Sequence, residues 1–437
     1  MLIAASLLFY AFGKLTWVPL LLISAACNYT AGLLISRLEQ PRRKWVLIAA
    51  VIVNIAFLAV FKYTNFIIET VNAAAGTSIP PTGLSLPVGI SFYTFQGMSY
   101  VIDVYRSPSQ AAKKYSTVLL YLAFFPQLVA GPIIKYGDIS PQLFQRQHSA
   151  EQTAAGISRF ILGLSKKVLL ANTLGLAADA VYSLDAASLD ARLAWLGAVC
   201  YTLQIYFDFS GYSDMAIGMG RMFGFRIKEN FLHPYCAGSI KDFWRRWHIS
   251  LSSWFRDYLY IPLGGNRKGR ARAQWNRIVV FFLTGLWHGA NWTFIVWGLW
   301  HGFLLLLEDR FRPAARWKRR WPGHLCTMLA VVLGFMVFRA DSLTQAGTML
   351  TAMFSRFHVS PAGSAILANI LSPTVLLALA AGAVCILPLI DWAKIRLERK
   401  NVPFLRQVGW ILMLLLFVWD ILQLVSSSFN PFIYFQF

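Results

Sequence analysis

Residues 278–307 read IVVFFLTGLWHGANWTFIVWGLWHGFLLLL, 30 positions without one Asp, Glu, Lys or Arg. About 20 apolar residues cross a bilayer as a helix, so this run is longer than one crossing needs. Gly285, Gly289, Gly298 and Gly302 lie inside it, and it reads either as a tilted helix or as one broken near Gly289. Non-helical backbone at membrane depth survives only where protein or a water-filled cavity shields it. A break beside His288 therefore implies a buried cavity there. Further candidate spans are 16–35, 45–61, 86–104, 116–130, 156–178, 193–209, 325–338, 373–390 and 407–425. With a short opening segment and broken or re-entrant pieces, the expectation is an all-α, polytopic integral membrane protein of roughly 10 to 13 helices.

Composition agrees, with 57% hydrophobic and 14% charged residues where soluble domains carry about 25% charged. The 40 Lys+Arg against 19 Asp+Glu give +21, and the basic residues cluster at 37–44, 267–277, 310–320 and 394–406, between apolar stretches. That pattern marks cytoplasmic loops at an anionic membrane surface, with lipid and not nucleic acid as the partner. With 394–406 inside, the helix at 407–425 carries the tail SSSFNPFIYFQF to the outside. The opening MLIAASLLFYAFGKLTWVPLL lacks a basic lead and a small-residue cleavage site, so the run is expected to be retained. Cys27, Cys200, Cys236, Cys326 and Cys385 are far apart, and the seven histidines show no metal-ligand spacing. They suggest neither a disulfide framework nor a metal site, and the cysteines are expected to be buried and inert. No repeat or soluble domain interrupts the pattern. The chain reads as a single transmembrane domain over 1–437, with a core motif region at 200–305 and a C-terminal helix and external tail at 407–437.

Ionisable residues inside a membrane are costly and are functional candidates by default. His288 sits in the longest apolar run, where the alternative is a ring that hydrogen-bonds a neighbouring helix. His301 lies 13 positions on, about 220° around a continuous helix, so on an unbroken helix the two histidines face different ways. In KDFWRRWHISLSSWFRDYLY (241–260), Trp244, Trp247, Leu251, Trp254 and Tyr258 recur at helical spacing, with Arg245, Ser252 and Arg256 on another face. One reading is an interfacial helix anchored by tryptophans on anionic headgroups. The other has Arg245, Arg246 and Arg256 holding the phosphates of an anionic cosubstrate, with His248 near them. Gln204, Asp208, Ser210 and Asp214 are polar positions in another apolar run. Buried carboxylates need partners, and the nearby arginines or helix-end amides are the candidates, in a structural network or a catalytic role. Gly218, Gly220 and Gly224 make G-x-G-x-x-x-G, one residue too many for a dinucleotide fingerprint and without βαβ context, so nucleotide binding is rejected.

FFPQLVAGPI (124–133), YFDFSGYSDMAIGMGRMFGF (206–225), DFWRRWHISLSSWFRDYLYIPLGGN (242–266), LTGLWHGANWTFIVWGLWHG (283–302) and NPFIYFQF (430–437) closely resemble the membrane-bound O-acyltransferase family. Within it they look like the bacterial branch of alginate and peptidoglycan O-acetylation membrane subunits and, more distantly, the D-alanyl transfer protein of teichoic acid. Members of this branch often carry another hydrophobic segment ahead of such a start, so this version is expected to be shorter or its start assigned late. The resemblance implies a funnel-shaped protein with a central tunnel in a bacterial inner membrane. It implies cytoplasmic acetyl-CoA as acyl donor, with no permanently bound cofactor, and family histidines at His288 and His248. Trp287, Asn291, Asp208 and Ser210 would line or support the tunnel. Tyr434 in the terminal motif would receive the acyl group and present it to a periplasmic SGNH-type O-acetyltransferase acting on an envelope polysaccharide, peptidoglycan or alginate.

Chemistry agrees with that picture. Passing only an acetyl group through the bilayer avoids desolvating the phosphates of coenzyme A. A neutral imidazole in an apolar setting can act as general base, which is the role expected of His288; His248 would orient the acceptor or polarise the carbonyl. Two other classes remain open from sequence. One is a transporter or flippase for a lipid-linked glycan with His288 and Asp208 in a proton relay; the other is a structural scaffold for a synthase complex.

Overall fold

The computed structural model describes residues 1–311, 321–389, 396 and 403–426. Tyr434 with its tail, and most of the basic clusters at 310–320 and 394–406, lie outside the described residues. All regular structure among the described residues is helical. Five of the described helices are long and apolar enough to cross a bilayer: Leu15–Arg37, Arg42–Ala75, Ala150–Tyr182, Trp321–Arg339 and Gln407–Ser426. Pro361–Ile370 and Pro373–Cys385 make a further candidate bent by 69°. These correspond to six of the expected runs. The other four do not form a single helix of that kind: the run at 86–104, for example, becomes the 17-residue Ile90–Arg106, buried along most of its length.

The chain divides into two compact units. The first comprises Met1–Ile157, Ala216–Lys228 and Ser253–Pro262. In it α1 (Val18–Arg37), α2 (Arg42–Leu58) and α3 (Ile90–Arg106) pack on one another. Apolar faces gain little by leaving lipid for protein, so polar contacts and close approach hold such helices together. Asn28 and Asn54 accordingly exchange buried amide hydrogen bonds of 3.2 and 2.9 Å between α1 and α2. Gly97 of α3 fits against this pair, where any Cβ would run into the Asn28 amide. Trp254 donates its indole N–H to the Phe95 carbonyl at 3.0 Å and stacks on the Phe95 ring at 3.9 Å.

The second unit comprises Ser158–Met215, Glu229–Ser252 and the chain from Leu263 onward. Its elements are α4 (Ala150–Ser165), which enters the unit at Ser158 and continues into a π-helical turn at Lys166–Ala171, and α5 (Ala191–Met222), which leaves it after Met215. Gly163 and Gly211 let the backbones of α4 and α5 touch, since a Cβ on either would strike the other's carbonyl. Then come α6 (Ile240–Arg246), α7 (Ile249–Phe255), α8 (Arg270–His288), α9 (Trp292–Phe311) and α10 (Trp321–Arg339).

The long apolar run 278–307 is broken, as one of its two readings required: α8 stops at His288 and α9 starts at Trp292. The two helices fold back as an antiparallel hairpin. Gly285 lies on the Phe294 carbonyl, Gly298 on the Phe281 carbonyl, and Gly302 beside Ile278 and Phe281. Asn291 caps the second helix, its Oδ1 accepting the Thr293 N–H at 3.1 Å, while its amide donates to the Asp341 carbonyl at 2.9 Å. Gly285→Ala drives a methyl into backbone, which cannot rotate away. It is expected to destabilise the protein by about 1–3 kcal/mol, seen as a lower thermal unfolding midpoint in detergent, whereas Gly347→Ala, where a Cβ meets open space in the interior of the helix Leu343–Ser355, is expected to raise the midpoint slightly, since Ala is favoured over Gly there.

The stretch 241–260 departs from the continuous helix its periodicity suggests. It breaks at Trp247–His248, where His248 has φ of +42°. Trp244, Trp247, Leu251, Trp254 and Tyr258 are nevertheless all buried, so the tryptophans are core residues and not interfacial anchors. The expectation of buried cysteines holds fully only for Cys200; Cys326 is exposed and the other three are half-buried. Cys326 sits on the outward side of α10, where an apolar thiol is at no disadvantage in lipid.

Candidate active site

Two helix breaks of the second unit each carry a histidine, and the fold brings those histidines together. His288 ends α8, buried, with ring centroids 4.9 Å from Trp287, 5.0 Å from Trp297 and 5.2 Å from Phe338. His248 is fully buried, edge-on to Phe209 at 4.5 Å and 5.8 Å from Trp287. The two imidazoles are 6.5 Å apart, centroid to centroid. That spacing is too wide for a direct hydrogen bond, whose heavy atoms lie within about 3.2 Å. Two imidazoles in one aromatic enclosure are candidates for proton transfer.

His301 takes a different place. The break in the run removes the premise on which its angle to His288 was drawn, and the ring of Trp297 adjoins both, 5.0 Å from His288 and 5.3 Å from His301. Trp244 donates its indole N–H to His301 Nδ1 at 3.3 Å. This histidine is held inside the aromatic core.

Local pairing explains why the chain breaks at His248. The Ile249 N–H reaches the Asn230 carbonyl and the Leu232 N–H reaches the Arg246 carbonyl, both at 3.0 Å. The segment at 230–232 thus takes backbone bonds that a continuous helix would have made internally. Asn230, itself buried, turns its side-chain oxygen onto the start of α7, where it accepts from Ser250 N–H at 3.1 Å and Ser250 Oγ at 2.9 Å. Its amide donates to Ser213 Oγ of α5 at 3.1 Å. The position of α6 is fixed at its other end, where Asp309 of α9 pairs with both Lys241 and Arg277.

The carboxylates of α5, Asp208 buried and Asp214 half-buried, find cations on α4 and the π-helical turn after it. Asp208 pairs with Lys167, both buried. Asp214 pairs with Lys166 at 2.6 Å and Arg159 at 2.8 Å, and Arg159 also donates to Glu229 at 2.6 Å. The partners are therefore one arginine, Arg159, and two lysines, Lys166 and Lys167, where the sequence predicts arginines or helix-end amides. Ser210, one turn from Asp214, carries a buried hydroxyl without a hydrogen-bond partner among the described residues.

The three arginines do not form one helical face, because the helix that would align them is interrupted at His248. Arg245 is exposed; Arg246 pairs with Asp242 at 3.0 Å. Arg256 belongs to the other unit and lies on a π-helical turn, paired with Asp257 at 2.7 Å. Partial burial opposes ionisation of Asp257, but hydrogen bonds from Arg256 and Lys135 prevail and hold its carboxyl below the usual range.

Sequence reading passed over Asn230, Ser213, Trp297, Phe338, Arg159, Lys166 and Lys167. For the lysines a signal was present, two adjacent charges in the middle of an apolar run. For the others there was none, since a lone Asn or an aromatic in an aromatic-rich chain says nothing about its neighbours.

These features define a multi-pass helical membrane protein with two histidines in one aromatic enclosure and buried or half-buried charge pairs between its helices. The chain matches MBOAT, the membrane-bound O-acyltransferase family, over residues 5–344, and belongs to that family. It is 40% identical to a Pseudomonas putida protein named "Probable alginate O-acetylase AlgI", across 100% of this chain and 94% of the relative. It is 35% identical to the peptidoglycan O-acetyltransferase of Helicobacter pylori, across 100% of this chain and 91% of that protein. Identity to the teichoic acid D-alanyltransferase of Bacillus subtilis is 28%, across 59% of this chain and 67% of that protein. The chain is an O-acyltransferase that spans the membrane several times.

Proposed function

We propose that this protein takes acetyl groups from cytoplasmic acetyl-CoA and passes them across a bacterial inner membrane for O-acetylation of an envelope polysaccharide, alginate or peptidoglycan. The observation that carries the reading is the meeting of His248 and His288 in one aromatic enclosure, 6.5 Å apart, each at a helix break. His288 acts as general base. It removes the proton of an acceptor hydroxyl as the oxygen attacks the thioester carbonyl; the C–S bond breaks, and the proton returns to the departing CoA thiolate. The net products are an acetyl ester and free CoA. His248 orients the acceptor or polarises the carbonyl, and Trp287 and Asn291 hold the His288 end of the hairpin in place. Arg245 and Arg246 are proposed to meet the CoA phosphates, Arg245 offering the more exposed side chain of the two.

The acceptor inside the protein is Tyr434. Its phenol leaves as phenolate, with an ordinary pKa near 10, a better leaving group than an alkoxide. A tyrosyl acetate therefore passes its acyl group readily to a polysaccharide hydroxyl held by a periplasmic SGNH-type partner. Tyr434→Phe is expected to stop polysaccharide acetylation in cells while purified protein keeps its fold and thermal midpoint; acetylation at the wild-type level would remove Tyr434 from the route.

Consumption of the thioester tests the reading as a whole. Purified protein in liposomes with its partner is expected to release CoA from acetyl-CoA, and a glycan flippase would not. The pairing of Asp208 with Lys167 also speaks against Asp208 as a solitary proton carrier. Absence of CoA release with acceptor and partner present would overturn the proposal.

A further inference from the structure

His248 presents two ring nitrogens, and their surroundings differ. Nδ1 lies 3.2 Å from the side-chain oxygen of Asn230; Nε2 is buried with no hydrogen-bond partner among the described residues. Oxygen and nitrogen of an amide are told apart only by their partners, and here one partner is decisive. The atom of Asn230 that faces Nδ1 also faces the backbone N–H of Ser250 at 3.1 Å, and a backbone N–H can only donate. That atom is the amide oxygen. The other end of the amide donates to Ser213 Oγ at 3.1 Å, which agrees. The Ser250 hydroxyl spends its hydrogen on the same oxygen at 2.9 Å, so its lone pairs face Nδ1 at 3.4 Å. Nδ1 is therefore surrounded by acceptors and must carry the hydrogen.

We propose that Asn230 is a positioning residue which locks neutral His248 as the Nδ1–H tautomer, so that Nε2 offers the enclosure a lone pair. The left-handed backbone of His248 sets the ring's direction, and Asn230 fixes which nitrogen is the acceptor. The consequence bears on the acetyl-transfer reading, on which it rests. A neutral ring with a lone pair at Nε2 repels a thioester carbonyl oxygen. Of the two roles open to His248, orienting a hydrogen-bond donor on the incoming substrate is the one this tautomer performs; polarising the carbonyl is not.

The test is nitrogen NMR of protein labelled with ¹⁵N-histidine, with His248→Gln used to assign the His248 signals. Wild type is expected to show a protonated Nδ1 and an unprotonated Nε2. Asn230→Ala is expected to give a mixture of tautomers and to lower acetyl transfer by at least about ten-fold, since a wrong tautomer disables a catalytic imidazole. Asn230→Asp keeps the accepting oxygen and is expected to retain the wild-type tautomer, a rescue that loss of packing alone would not produce. Protonated Nε2 in wild type, or an unchanged tautomer in Asn230→Ala, overturns the proposal. If Asn230→Ala does not fold, the wild-type spectrum still decides it. The spectrum needs no acetyl-CoA, so a failure of the acetyl-transfer reading shows separately, as absent CoA release from protein with the expected tautomer.

Discussion

His288→Ala is expected to lower CoA release and acetyl transfer by about 10²- to 10⁴-fold, the usual contribution of a general base, with little effect on assembly. The ring ends a helix at the turn of a hairpin, and its neighbours Trp287, Trp297 and Phe338 pack on one another or on the same helices without it. The measurement is single-turnover CoA release by purified protein, with the unfolding midpoint recorded in parallel. A variant that folds like wild type and still releases CoA at the wild-type rate would remove His288 from the chemistry. His301→Ala is the matched control. It deletes a buried ring that contacts Trp244 and Trp297, so it is expected to lower the unfolding midpoint, and it does not remove the proposed base.

The second large effect concerns stability. Asp208→Ala removes the carboxylate paired with the Lys167 ammonium, which is 8% exposed. Breaking one side of a buried ion pair costs about 3–5 kcal/mol, because the remaining charge has lost its compensation. Lys167→Met on the Asp208→Ala background is expected to recover much of that loss, since an apolar chain of similar length is suited to the same space. The check is thermal unfolding of both variants in the same detergent. A double variant as unstable as the single one would mean that Asp208 matters for something other than neutralising Lys167.

Much of this architecture is legible in the sequence, and the parts that are not have a common cause. Apolar run length located the candidate spans because lipid imposes a length on any helix that crosses it. Gly289 next to His288 marked the break in the longest run. The two histidines stood out as polar features in Trp-rich contexts, whereas Tyr434 of the terminal motif lies outside the described residues. The break at His248 was invisible, because Trp244, Trp247, Leu251, Trp254 and Tyr258 keep helical spacing straight through it. Both sides of the break bury their tryptophans, so periodicity survives where helicity does not. What interrupts the helix is Asn230, 18 residues upstream, and no local pattern announces such a partner. The supposed arginine face followed from the same assumption and fell with it. Asp208 and Asp214 were rightly seen to need partners, but spacing along α5 could not show that α4 and the π-helical turn after it supply them. Pairing between helices depends on Gly163 and Gly211 letting the backbones meet, a property of two segments together.

The central claim is that an acetyl group leaves coenzyme A at His288 and arrives on the tail of the same chain. Its most direct test is incubation of purified protein with isotope-labelled acetyl-CoA, followed by mass spectrometry of the C-terminal peptide in wild type, His288→Ala and Tyr434→Phe. The account predicts label on Tyr434 in wild type and none in either variant. Unlabelled wild-type peptide while CoA is released would contradict the tyrosine relay, and label on Tyr434 that persists in His288→Ala would contradict the role of the histidine.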